Sequence, residues 1–232
     1  MLFRSQALVV EVPISPYLAS ATLMPEDLAP ILAELTTMMA ASQLKAVIDP
    51  VVVVADPSLT EPGVEFDDAT TIALVEQGSI DRINLFFVDG FSGHQGSSYL
   101  AVSGGLPGPV GEQNGHNGIL INVQATREGP TSFWHQTTAE FSFHEMGHYI
   151  GLYHTTEQNF SAHDVLDDTQ ACDASAHDVN ENGLAEADEC PDGLNLMFAE
   201  IDLLNAKEAL TPDQKYIFFN SILARPIQTG GE

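Results

Sequence analysis

His144-Glu145-Met146-Gly147-His148-Tyr149-Ile150-Gly151-Leu152-Tyr153-His154 is the stretch that decides how this 232-residue chain is read. His144 and His148 are four apart, so on a helix their imidazoles stand one turn apart on one face and can aim a nitrogen each at one ion. Gly151 is the residue type best able to turn the chain sharply out of a helix, which lets His154 return as a third nitrogen ligand. Three nitrogens leave the fourth position of a zinc ion open to a water whose pKa falls to roughly 7, and Glu145 lies where a general base is needed. At this chain's own His, Glu and Gly content, the five fixed positions of H-E-x-x-H-x-x-G-x-x-H arise by chance with a probability on the order of 10⁻⁴. The bland alternative, three satisfied core histidines, would desolvate three imidazoles and a carboxylate with nothing to offset the cost.

Working outward, a helix is expected over about Phe133–Ile150, with Thr137 and Glu140 in capping-box spacing as an alternative later start. Phe141, Phe143, Met146, Tyr149 and Ile150 leave it apolar nearly all round, which places it in the middle of the molecule. Upstream, Leu8–Val12 is a short β-branched run, and Leu28, Ile31, Leu32, Leu35, Met38 and Met39 recur as on an amphipathic helix with Pro30 in its first turn. Val51–Val54 and Ile83–Val88 read as strands buried on both faces, and Ile119–Val123 as a half-exposed strand suited to a sheet edge. Gly90–Gly118, between the last two, reads as a surface loop. Downstream, periodicity fades from Leu152 to Asn195. The chain closes with a helix capped by Thr211, with Pro212 first and Gln214 completing the box. The expectation is one α+β domain over 1–232: an α/β-type part over 1–151 with a twisted mixed sheet and the central helix, and an irregular, loop-rich part over 152–232 ending in a helix.

The charge is lopsided, with 33 Asp and Glu against 7 Lys and Arg for a formal net charge of −26. That argues against nucleic acid and anionic lipid as partners, and no apolar run approaches a membrane span. Between Arg127 and Lys207 there is no Lys or Arg, yet sixteen carboxylates fall there. Screening by high salt or neutralisation by bound divalent cations would offset the repulsion. The stretch holds a candidate cation site: Asp178, Asn180 and Asn182, then Gly183, Leu184 and Glu189, fit the calcium-loop pattern D-x-[DN]-x-[DN]-G-x5-E, with side-chain oxygens, the Leu184 carbonyl and a two-oxygen Glu189 as ligands. A solvated Asn/Asp/Gly turn is the alternative. The two cysteines, Cys172 and Cys190, bracket the loop. They are either buried thiols or a disulfide, which would stabilise by roughly 3 kcal/mol and imply an oxidising compartment.

The extended histidine signature resembles the metzincin clan of zinc metallopeptidases. That clan has a tight methionine-bearing turn beneath the metal, and Asn195-Leu196-Met197-Phe198 looks like it. Gly151-Leu152-Tyr153-His154-Thr155, then Asp167-Asp168-Thr169 and Cys172, and the run from Cys190 to Met197, are similar to the pappalysin-like branch. The resemblance covers roughly Ile83 to the C-terminus. It departs from several families of the clan in having Ala199 where they carry a tyrosine two residues after the methionine, so any role of that tyrosine is unfilled or supplied from elsewhere.

The resemblance implies a zinc endopeptidase in which His144, His148 and His154 hold zinc, Glu145 is the general base, and an extended peptide adds to the edge at Ile119, Leu120, Ile121, Asn122 and Val123. A non-peptide zinc amidase and a calcium-stabilised binding module are the competing classes. The acidic stretch suggests a preference for basic side chains near the cut. The chain is expected to be a monomer acting on protein or peptide, secreted or cell-surface/periplasmic. Met1–Val12 does not read as a signal peptide, so the sequence is taken as a mature or trimmed form lacking its signal and any pro-segment.

Overall fold

A computed structural model describes residues 9–93, 99–109, 111–125, 127, 131–200, 207 and 209–226. Its strands are β1 (Val10–Ala19), β2 (Leu44–Ile48), β3 (Val52–Val53), β4 (Ile83–Val88), β5 (Ala101–Ser103), β6 (Ile119–Asn122) and β7 (Arg225–Pro226). Its α-helices are α1 (Leu28–Ala41), α2 (Ala69–Val75), α3 (Thr131–Ile150), α4 (Ala174–His177) and α5 (Pro212–Asn220). The strands form one mixed sheet in the order β2-β1-β4-β6-β5. β1, β2, β4 and β6 run parallel, while β5 closes the far edge antiparallel to β6.

β1 runs through Pro13 and Pro16 in the middle of this sheet, a position that normally excludes proline because the ring removes a ladder donor. In a parallel strand alternate residues face opposite neighbours. Ile14 and Leu18 accept from the Asp49 and Val54 amides, at 2.9 Å each. Pro16 therefore faces the break between β2, which ends opposite Ile14, and β3, which begins opposite Tyr17. Pro13 faces the other side, between β7, which pairs Val10 and Glu11, and β4, which begins opposite Ile14. Each missing N–H falls where no partner strand waits. The expected strand Leu8–Val12 is thus the start of a longer one, with Leu8 itself outside the described residues.

The sheet is covered on both faces. α1 and α3 bury Ile31, Leu35, Phe143 and Met146 against Val12, Ile14, Leu85, Ile119 and Ile121. Leu59, Phe66, Leu74 and Val75 pack on the opposite face against Tyr17, Phe86, Val88 and Leu120. This double cover corrects two expectations. All four residues of β6 are buried and β5 lies outside it, so the sheet edge belongs to Ala101–Ser103, a strand inside the segment read as loop. Val52 and Val53, expected inside, are 47% and 56% exposed, since their short strand lies off the main path of the sheet beside β1.

From Leu152 to Asn195 the one helix is the four-residue α4. α5 has the expected cap: Thr211 accepts from the Gln214 amide, and the Gln214 side chain accepts from the Thr211 amide. Among the described residues, no helix is long and apolar enough to cross a membrane.

Candidate metal centre

β6 hands the chain to α3, and the Trp134 indole N–H donates to the Val123 carbonyl at 2.9 Å, fixing the start of the helix to the end of the strand. α3 runs through the interior and brings His144 and His148 out on one face near its C-terminus. Gly151 then takes φ +110°, a conformation that favours glycine, and the Leu152 amide caps the Gly147 carbonyl at 2.9 Å. This exit swings His154 back over the helix.

The His154 Nε2 lies 3.0 Å from His148 Nε2 and 3.3 Å from His144 Nε2. Among the described residues, these histidines form the metal-ligand group of three or more His, Cys, Asp or Glu, with ligand atoms all within 4.8 Å of one another. Every Nδ1 points outward to an acceptor: His144 to Leu196 O at 2.7 Å, His148 to Leu152 O at 2.8 Å, and His154 to Glu157 Oε2 at 3.1 Å. Carbonyl and carboxylate oxygens only accept, so each ring carries its proton on Nδ1 and turns an Nε2 lone pair inward. Three lone pairs facing one another repel unless a cation sits among them. Tetrahedral zinc with bonds of about 2.05 Å sets its nitrogens about 3.3 Å apart, so the donor set fits. Burial, followed by the neighbouring imidazoles, holds His144 well below the usual histidine range, and burial with His154 beside it takes His148 down to about 4. Both are neutral donors at physiological pH.

Two cavities meet at this point. One, of about 360 Å³, is lined by β5, Gly105, Leu106, Glu145, His148, His154 and Glu157. The other, of about 500 Å³, is lined by Leu100, Phe141, His144, Gln158, Ala199 and Glu200. Tyr99, Ala101, Glu145 and His154 line both, so Glu145 stands at the junction. Burial pushes its carboxyl up to about 8, an effect that the nearby Ser103 backbone N–H opposes. Ala199 lines the second cavity, and the tyrosine that lines both is Tyr99.

The turn Asn195–Phe198 lies directly under the histidines. Besides accepting from His144, it takes the Thr155 amide on Met197 O at 2.9 Å. A Cβ at Gly147 would run into Met197 Sδ, so glycine is what lets helix and turn approach. Asn195 Oδ1 holds the Met197 amide at 2.8 Å and accepts from Gln214 at 2.9 Å, which ties the cap of α5 to this floor. Lys207 Nζ donates to Gly193 O and Glu200 O, 2.8 Å each, bridging the two ends of the turn.

Cys172 and Cys190 form a disulfide, buried with Ala185 and Phe198 and packed against by the half-buried Phe160. Within the acidic loop, Asp178 accepts from the Asn182 and Gly183 amides at 3.0 Å each, Asn182 Oδ1 from the Leu184 amide at 2.8 Å, and Glu189 Oε1 from the Asn180 amide at 3.2 Å. Glu189 Oε2 is buried without a partner. The loop reaches the cleft wall: Ala185 N donates to Gln158 O at 2.7 Å and Ala187 N to Glu200 Oε2 at 2.6 Å.

The structure therefore brings Glu145, the three histidines and Met197 together, and places Ile119–Val123 one strand away from the cleft edge. Sequence reasoning missed β5, whose three residues are too few to show a period, and Glu157, which no motif covers; an acid three residues after the third histidine was the available signal.

No protein-family model matches the chain, and no curated protein matches it in sequence. Among solved structures, it is similar to archaemetzincin from Methanopyrus kandleri, with a TM-score of 0.53 and 11% identity over 89% of this chain and 93% of that one. It is also similar to a zinc-dependent peptidase from Methanocorpusculum labreanum, with a TM-score of 0.50 and 8% identity over 88% of this chain and 98% of that one. At such identities the likeness is one of fold.

Proposed function

We propose that this chain is a zinc-dependent endopeptidase of the metzincin type. The observation that carries the reading is the convergence of three Nε2 lone pairs beside a half-buried carboxylate at the edge strand of a sheet. His144, His148 and His154 hold the ion. Bound there, zinc supplies Lewis acidity, lowering the pKa of a water to roughly 7 and polarising a carbonyl.

The chain's own groups do the rest. β5 offers backbone hydrogen bonds to an extended peptide laid along it, in place of the buried Ile119–Val123, and so sets the scissile bond across the junction of the two cavities. Glu145 takes the proton of the attacking water and delivers it to the leaving amine. A dication held by the trio favours the ionised form of this carboxyl, countering its burial. Ser103 of that edge lines the same cavity as Glu145, and so sets the substrate edge beside the base. An open edge beside the junction favours a peptide over a compact amide, and an intact Glu145 favours catalysis over binding alone. Met197 and its turn form the floor that fixes His144.

The pappalysin-like assignment within the clan stands on the sequence runs Gly151–Thr155, Asp167–Thr169 and Cys190–Met197. Calcium in the loop Asp178–Glu189 is part of the reading, supported by the ligand pattern and the unpaired Glu189 oxygen. The disulfide supports a secreted or cell-surface location.

A peptide library incubated with the zinc-loaded parent and with Glu145→Ala tests the proposal. The expected result is cleavage by the parent and a loss of about 10²–10⁴-fold in kcat for the variant. Cleavage at the parent's rate by the variant would sink Glu145 as the base.

A further inference from the structure

Resting on that zinc reading, we propose that Glu157 is the positioning residue of the third ligand: its carboxylate aims His154 at the ion and strengthens the hold of the whole trio. His144 and His148 are oriented by the helix that carries them, and their Nδ1 atoms lean on main-chain carbonyls that belong to the helix exit and the floor. His154 has no helix. It sits on the irregular chain beyond Gly151, where the backbone alone leaves the ring free to rotate, and its Nδ1 meets the Glu157 carboxylate at 3.1 Å.

Glu157 is itself held. Its amide donates to Ala162 O at 2.9 Å, its carbonyl accepts from the Phe160 amide at 2.8 Å, and Thr156 bridges to His163. Phe160, at φ +57°, packs onto the disulfide cluster and anchors the turn. An exposed ion pair between two free side chains is worth little. Here the carboxylate is presented by a tied turn to a ring whose other nitrogen faces the ion, the arrangement in which an outer partner fixes a ligand's tautomer and raises its basicity. Glu157 also brings a negative charge to a ligand set that has none. Its side chain is 41% exposed, so truncating it opens no core cavity.

Zinc affinity, measured by competition with a chromophoric chelator, tests this without any peptide substrate, and the cobalt absorption spectrum reports ligand geometry. Zinc binding should weaken by about 10–100-fold in Glu157→Ala, with an altered cobalt spectrum and an unchanged metal-free melting temperature. Glu157→Gln, which keeps an acceptor oxygen but no charge, should fall between this variant and the parent. Parent-like zinc affinity and cobalt spectrum in both variants would overturn the inference and leave the endopeptidase reading standing. A parent chain that binds no zinc would remove the reading on which the inference rests, and the inference with it.

Discussion

The histidine trio and the acidic loop Asp178–Glu189 are both candidate cation sites, and they handle their polar atoms in opposite ways. At the trio every outer nitrogen is anchored and the inner ones face one another, His154 Nε2 lying 3.0 Å and 3.3 Å from its two partners, with burial keeping His144 and His148 neutral. In the loop, Asn180 and Asn182 are exposed and Asp178 is half-buried, and their oxygens already accept from backbone amides of the loop itself. The trio is a frame with an unmet demand for positive charge. The loop meets nearly all of its own, Glu189 Oε2 being the exception. A donor pattern read from sequence looks equally complete in both places; whether the donors are already spent is a property of the folded backbone.

The contrast can be broken by removing metals one at a time. Zinc at a thousandfold excess over its Kd should stabilise the fold by about 4 kcal/mol. Differential scanning calorimetry before and after zinc-selective chelation should therefore show a fall of roughly 8–16 °C in Tm for a chain of this size. A melting curve indifferent to zinc would put the trio on the same footing as the loop.

A second, smaller effect concerns pH in the metal-free protein. The folded state holds the Glu145 carboxyl up at about 8, against an ordinary value of 4.5. The folded form then binds more protons than the unfolded one between those values, so stability falls as pH rises through that window. His148, lowered from 6.5 to about 4, works the other way, costing stability as pH drops through its own window. Between pH 6.5 and 8 the Glu145 contribution stands alone of the two, and urea titrations should show declining stability there, a decline that Glu145→Gln abolishes. The same slope in the variant would mean that another group titrates.

Calcium should give the smallest response. At ten times its Kd it contributes about 1.4 kcal/mol, or roughly 3–6 °C in Tm, and Glu189→Gln should remove the shift while leaving the zinc response intact. No calcium-dependent shift at low salt would leave the loop as the self-satisfied turn its hydrogen bonds describe.

What the sequence made legible was local. The spacing of His144, His148, Gly151 and His154 acts through a single helix and its exit, so reading it needs no tertiary information, and the box of Thr211 and Gln214 is equally self-contained. The edge strand was illegible for the opposite reason. The alternation within Ile119–Val123 suggests an edge, but which strand ends a sheet depends on what pairs beyond it, and Ala101–Ser103 is too short to announce itself. Burial of Val52 and Val53 does not follow from their β-branching, which reports strand propensity and not the number of covered faces. β2 and α2 went unnoticed at five and seven residues, lengths at which periodicity carries little signal. Glu157 escaped because a carboxylate in so acidic a stretch has no distinguishing mark until the fold sets it against a ring nitrogen.

The two prolines of β1 bear on how the sheet chooses among misfolded relatives of itself. Sliding the strand by one residue against its neighbours would turn each pyrrolidine toward the opposite side of the ladder and the apolar side chains toward the wrong faces. Pro16 would then confront β4 along its paired length, where every alternate position needs a donor. Near-native competitors of the central strand are thereby penalised at the backbone as well as in the core, widening the gap between one pairing and all others. Residues that appear to weaken the middle of the sheet act as its alignment pins.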